Sequence, residues 1–158
     1  MAYNPGRMGI SHEVSEGIAE VVIDVPPVNA LDVAGWFALA DLTRAAGEDP
    51  EVRVVIIRAE GKGFCAGVDI KELQADPKAI IGVNRGCYAA FAAVYECEVP
   101  VIAAVHGFCL GGGVGIVGNS DIVIASRDAT ITSALPTSPM PPPRQNPCTA
   151  ATTGTAHS

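Results

Sequence analysis

The chain has 158 residues, a formal net charge of −7, 49% hydrophobic and 17% charged side chains, and a mean hydropathy of +0.32. That length suffices for one domain with a real core. The acidic balance, with no Lys/Arg cluster, argues against a nucleic-acid partner, and no apolar run approaches the roughly 20 residues of a membrane helix. The opening MAYNPGRMGISHE lacks the apolar segment of a signal peptide, so the expected location is the cytoplasm.

Ile10 to Val14 and Ile18 to Val25 flank Glu16-Gly17 and predict a hairpin. Pro26-Pro27 stops its second strand, since neither residue can donate to a ladder. After Val28-Asn29-Ala30-Leu31, Asp32 is the expected N-cap of a helix running to about Ala46, with Trp36, Leu39, Ala40 and Thr43 on one face and Phe37 alongside. Gly47 and Pro50 are expected to end it. Val52 to Ala59 reads as a strand and Asp69 to Leu73 as a short helix. A longer helix is expected over Ala79 to Tyr95, with Ile80, Asn84, Cys87, Phe91 and Val94 at three- and four-residue steps. Strands are expected at Val101 to Val105 and Ile122 to Ala125, separated by a glycine-rich turn and a helix to about Gly118. Alternation of this kind predicts an α/β fold with largely parallel crossovers.

The pattern fades near Ile131. Residues 132–158 hold six prolines and six threonines, too little apolar surface to offset an ordering entropy of about 1–2 kcal/mol per residue. The expected organisation is a partial core over 1–131 and a disordered Pro/Thr-rich tail over 132–158, leaving Ile122 to Ala125 uncovered. The five cysteines (Cys65, Cys87, Cys97, Cys109, Cys148) form no C-x-x-C pair. Reduced structural thiols are expected, with neither disulfide nor metal.

Two glycine-bearing loops carry the chemistry. Gly113-Val114-Gly115-Ile116-Val117-Gly118 matches G-x-G-x-x-G after a strand. A dinucleotide site would need an acidic residue about 20 positions on, and Asp121 and Asp128 are both misplaced. No Gly-Lys-Ser/Thr follows, so a P-loop is disfavoured too. Both Gly63–Leu73 and His106–Gly113 follow an apolar strand and open a helix. Backbone N–H groups at such starts are unpaired and favour negative charge. Two such units either converge on one oxygen, as an oxyanion hole, or are close-packing turns.

Phe64-Cys65-Ala66-Gly67-Val68-Asp69-Ile70-Lys71-Glu72, Pro100 through Gly107 and Gly111-Gly112-Gly113, with Asn29-Ala30-Leu31 and Ser120-Asp121-Ile122, resemble the crotonase (enoyl-CoA hydratase/isomerase) superfamily. The resemblance runs from about Ile10 to Ala129. It implies a spiral of ββα turns, a homotrimer or dimer of trimers, and acyl-CoA substrates, with coenzyme A part of the substrate and no separate cofactor. By motif position it implies backbone N–H oxyanion donors at Val68 and Gly112. It also implies a CoA-thioester lining from Ala66 and from Val68 through Asp69, Ile70 and Lys71, with Val28 and Ala30 towards the nucleotide end.

Hydratases of the superfamily resemble one another in two glutamates that hold and activate water. Gly115 stands at the first of these positions. The Pro-Glu pair expected near Ile131 to Thr137 is missing. Gly113 to Asp121, Asn84 to Cys87 and Val94 to Cys97 resemble an actinobacterial branch that opens a ring of a steroid-derived CoA thioester by hydrolytic C–C cleavage. That branch also has glycine at the first position but keeps the later Pro-Glu. The expected activity is this ring-opening hydrolysis; the alternatives are an enoyl-CoA hydratase or isomerase, and an inactive truncated or frame-shifted chain of low solubility. His106 is expected in a turn, Asp69 as a helix cap and Asp121 as a structural acid at a strand start. Arg85 either pairs with a substrate carboxylate or is solvated, and Glu60, Glu72, Glu96 and Glu98 are expected on solvated faces.

Overall fold

A computed structural model describes residues 9–133. The hairpin β1 (Ile10–Ser15) and β2 (Ile18–Ile23) forms as expected, turning through Glu16 and Gly17 at positive φ. β3 (Ala30–Leu31), α1 (Val33–Glu48), β4 (Val54–Ala59), β5 (Gly67–Val68), α2 (Ile70–Ala75) and α3 (Ala79–Tyr95) follow. The last elements are β6 (Val101–Val105), β7 (Phe108–Leu110), α4 (Gly112–Asn119), β8 (Ile122–Ala125) and β9 (Thr130–Thr132).

Five strands form one sheet in the order β1-β2-β4-β6-β8, antiparallel only at the hairpin. Period-two alternation turns Ala19, Val21, Ile23, Val55, Ile57, Val101, Ala103 and Val105 to one buried face. There they meet Trp36, Leu39, Ala40 and Thr43 of α1, all fully buried. Asp32 caps α1 as the sequence predicts, its Oδ1 accepting from the Gly35 N–H at 2.6 Å.

Several expectations need correction. Two small parallel sheets, β3-β5 and β7-β9, have no counterpart among the strands expected from the sequence. Strands of two or three residues are too short to show a period, and their partners are distant in sequence. Gly47 does not end α1. It lies inside the helix, at a place where a Cβ would stand 2.7 Å from Cys97 Sγ. Phe37 is 38% exposed. The buried face of α3 comprises Val83, Gly86, Ala90, Ala93 and Val94, leaving Ile80 and Asn84 exposed. Small residues set that choice: a Cβ on Gly86 would meet Trp36 Cβ at 2.7 Å, so α3 and α1 approach closely there. Glu72 is not a free solvated acid, since its Oε2 accepts from the Val33 N–H at 2.9 Å. Glu60 pairs with Arg58, which also reaches Glu20 across the sheet at 2.6 Å.

Asp121 acts as expected at the start of β8. Its Oδ2 accepts from the Val101 N–H at 2.8 Å, and its own N–H donates to the Val101 carbonyl. Among the described residues nothing covers β8, where Ile122, Val123 and Ile124 are 50%, 43% and 59% exposed. β9 takes in Thr132; residues 134–158, where the sequence predicts a disordered tail, and Cys148 lie outside the described residues. Cys65 and Cys109 are buried thiols, while Cys87 and Cys97 are half-buried and free.

Asn29 ties the turn before β3 to the loop after β4. It is 3% exposed, sits at φ +54°, accepts from the Val25 N–H at 2.7 Å and donates to the carbonyls of Glu60 and Gly63 at 2.8 Å each. Asn29→Ala leaves three backbone groups without partners and places an unsuitable side chain at positive φ. Its expected cost in urea denaturation is about 2–4 kcal/mol. Asn29→Gly relieves the backbone part and recovers about 1 kcal/mol. Equal stability of Asn29→Ala and the unaltered chain contradicts this role.

Candidate oxyanion site

The two glycine-bearing loops come together. The Phe64 N–H donates to the Phe108 carbonyl at 2.8 Å and the Leu110 N–H to the Cys65 carbonyl at 2.8 Å, around a parallel bridge between Cys65 and Cys109. Both segments are therefore held in register by main-chain bonds, independent of side-chain identity. On the other side, β5 pairs with β3, Ala30 opposite Gly67 and Leu31 opposite Val68.

Val68 and Gly112 each present a backbone N–H. In the β3-β5 ladder the Asp69 N–H donates to the Leu31 carbonyl at 2.9 Å. By alternation the Val68 N–H points away from β3. Gly112 is the first residue of α4, where N–H groups lack an intrahelical acceptor. Gly111 before it holds φ +50°, ψ −119°, a conformation open only to glycine. Gly67, at φ +90°, lies so close that a Cβ on it would stand 3.1 Å from the Gly112 nitrogen. The loops that carry Val68 and Gly112 thus meet beside a positive helix end.

Ala30 is on this ladder, and just before it the Ala66 N–H is shared by the Val28 and Asn29 carbonyls at 3.2 Å each. Asp69 caps α2, accepting from the Lys71 N–H at 2.9 Å, as the sequence predicts. Ile70 is 66% exposed and Lys71 is exposed on that helix. Ala30, Asp32 and Asp69 line one cavity of about 230 Å³. With Asp24 also in its lining, its three carboxylates disfavour a nucleotide phosphate inside it. Arg85 is exposed on α3 and makes no hydrogen bond or ion pair among the described residues, so the structure does not draw it to this cluster. His106 sits in the turn after β6, its Nε2 3.0 Å from the Gly61 carbonyl. Among the described residues no group of three His, Cys, Asp or Glu side chains is placed to hold a metal.

Two aromatic residues that the sequence marks only as packing positions define the far wall. Cζ2 and Cη2 of Trp36 would lie 2.7 Å from a Cβ on Gly112, and the Phe91 ring 2.3–2.7 Å from a Cβ on Gly115. The rings meet edge-to-face, with centroids 5.9 Å apart and planes at 82°. Phe91 therefore fills the space that a side chain at position 115 would occupy. Neither residue was legible as part of a site, because this contact depends on how α3, α1 and α4 meet. The nearby thiols do not substitute for an acid. Burial pushes Cys65 up to about 12 and Cys87 and Cys109 up to about 11, so all three stay protonated at neutral pH.

Gly115→Ala forces the Phe91 ring aside and is expected to destabilise the chain by about 1–3 kcal/mol. Gly118 lies on the same helix, but a Cβ there would meet nothing within 4 Å; Gly118→Ala is expected to stabilise by about 0.4–1 kcal/mol. Thermal or urea unfolding of the pair checks this, and equal effects at the two positions contradict the packing role of Phe91.

Residues 13–139 match the enoyl-CoA hydratase/isomerase family. The chain is 62% identical over 116 residues to a (7aS)-7a-methyl-1,5-dioxo-2,3,5,6,7,7a-hexahydro-1H-indene-carboxyl-CoA hydrolase of Mycobacterium tuberculosis, covering 72% of this chain and 47% of the relative. To the Rhodococcus jostii hydrolase of the same name it is 58% identical over 125 residues, covering 77% and 48%. Among solved structures it is similar to an enoyl-CoA hydratase from Mycobacterium avium subsp. paratuberculosis, with TM-score 0.68, 32% identity and coverage of 78% and 46%. The chain spans about half the length of the curated relatives it matches. It belongs to the enoyl-CoA hydratase/isomerase family, with the crotonase-type α/β fold.

Proposed function

We propose that this chain supplies the thioester-polarising part of a hydrolase that opens a carbon ring attached to coenzyme A. The observation that carries the reading is the meeting of Gly67-Val68 with Gly111-Gly112, which brings the loops bearing the two main-chain donors side by side. Hydrolytic C–C cleavage beside a thioester requires a ketone two carbons from it. Water adds to the ketone carbon, the bond from that carbon to the α-carbon breaks, and the electron pair passes into the thioester enolate. The enolate oxygen is where Val68 and Gly112 act, and each such donor is worth about 10²–10³ in rate. The α-carbon then takes a proton, and the former ketone leaves as a carboxylate.

Identity of 62% and 58% to two hydrolases named for a dioxo-indene-carboxyl-CoA supports this substrate class. Hydration of an enoyl-CoA is the weaker reading, because Phe91 occupies the position from which an acid at residue 115 would act. Coenzyme A enters as part of the substrate, along Ala66 and Val68 to Lys71, with Val28 and Ala30 further along. The half-exposed apolar residues of β8 support assembly with further polypeptide, a homotrimer or dimer of trimers being the family's arrangement. Free cysteines among the described residues support a cytoplasmic setting. No helix among those residues is long and apolar enough to cross a membrane.

With 2-oxocyclohexanecarboxyl-CoA as substrate, mass spectrometry is expected to show a ring-opened thioester heavier by one water, while crotonyl-CoA stays unhydrated. Gly67→Ala, whose Cβ would press on the Gly112 nitrogen, is expected to lower ring opening by about 10²-fold or more. Turnover of crotonyl-CoA without ring opening contradicts the reading.

A further inference from the structure

One face of α3 is left over from its packing against α1 and α4. Val83, Gly86 and Ala90 turn towards the core, and on the opposite side Ile81, Tyr88 and Tyr95 recur at seven-residue steps, 58%, 77% and 76% exposed. The two tyrosines, with Phe91 and Ala92, line an open groove of about 390 Å³. A continuous exposed stripe of large apolar and aromatic side chains marks a contact surface. Lys78, the N-cap of α3, and Glu96, its C-cap, are exposed at the two ends of the stripe, and Arg85 is exposed along it. None of these three makes an ion pair among the described residues.

We propose that this stripe is the interface of a two-fold dimer, in which α3 of a second copy of this chain packs on it antiparallel about Tyr88. A two-fold contact is self-complementary, residue i meeting j and j meeting i, and the stripe matches itself reversed. Ile81 and Tyr95 lie seven residues either side of Tyr88, so each falls opposite the other across the axis. Lys78 and Glu96 lie ten and eight residues from Tyr88, which brings them within about 3 Å along the helix axis at 1.5 Å per residue. The eighteen residues between them make five full turns, so both are on the same flank. Each end of the pair therefore sets an ammonium beside a carboxylate, whereas parallel helices would set like on like. Arg85 of each copy comes over the groove of the other, whose lining includes Glu96. Aromatic side chains bury about 150–250 Å² each, so the four tyrosines supply roughly 600 Å² and the whole stripe about 1,000 Å², the lower bound of a specific interface. The reversed charge match at both ends is what favours a second copy over an unrelated helix.

Sedimentation equilibrium of the whole 158-residue chain over a concentration series measures the association. The expected result is a dimerisation step that Tyr88→Glu weakens about 100-fold or more, since two carboxylates then meet on the axis. Tyr88 is three-quarters exposed, so the far-UV circular dichroism of this variant is expected to stay unchanged. Lys78→Glu is expected to weaken the dimer about three- to tenfold, and adding Glu96→Lys to restore it. Both charge changes suit the dipole of α3, so a weaker dimer there is not a weaker helix. A chain that stays monomeric at every concentration overturns the proposal. An assembly of any size that ignores Tyr88→Glu overturns it too, and its dissociation on Ile124→Lys would place the contact at β8 instead. A Lys78→Glu effect that Glu96→Lys fails to reverse contradicts the antiparallel pairing.

Discussion

The pair of main-chain bonds between residues 64–65 and 108–110 fixes how the two glycine-bearing loops meet. Phe64 to Phe108 and Cys65 to Leu110 join two loops that are some forty residues apart in sequence, each leaving a strand of the same parallel sheet. Neighbouring parallel strands deliver their following loops to the same end of the sheet, so β4 and β6 bring these loops within reach. The bonds then fix their register. Without that register, Gly67 and Gly112 would be two ordinary turns. With it, the short strand that carries Val68 and the helix start at Gly112 lie side by side, held by main-chain bonds alone.

The side chains do a different job. Trp36 and Phe91 fill the face of α4 on which Gly112 and Gly115 lie, and the two glycines exist on that face because the rings are there. An acid cannot be restored at position 115 without removing Phe91. Glycine at position 115 is thus part of a consistent packing arrangement with an apolar wall at that face of α4. The buried thiols around this wall are held neutral by desolvation and add no competing charge.

Much of this could be read from residues. The helix starts at Asp32 and Asp69, the hairpin at Glu16-Gly17 and the loops around Gly67 and Gly111 announce themselves through capping and turn chemistry, which is local. Family-like motifs pointed to Val68 and Gly112 as donors, and the structure brings together the two loops that carry them. What escaped was non-local. β3, β5, β7 and β9 exist only through partners far along the chain. The role of Gly47 depends on Cys97, that of Gly86 on Trp36 and that of Gly115 on Phe91. The expected face of α3 followed hydrophobicity, whereas the helix turned its smallest residues inward so that α1 could approach.

The central claim is that the Val68 and Gly112 N–H groups together polarise a thioester carbonyl. Isotope-edited infrared spectroscopy of acetyl-CoA labelled with ¹³C at the carbonyl measures that polarisation without requiring turnover. Two hydrogen bonds from a desolvated backbone predict a bound carbonyl stretch at lower frequency than in water, returning towards the free value when Gly67→Ala closes the approach. A bound thioester whose carbonyl frequency matches that in water contradicts the account.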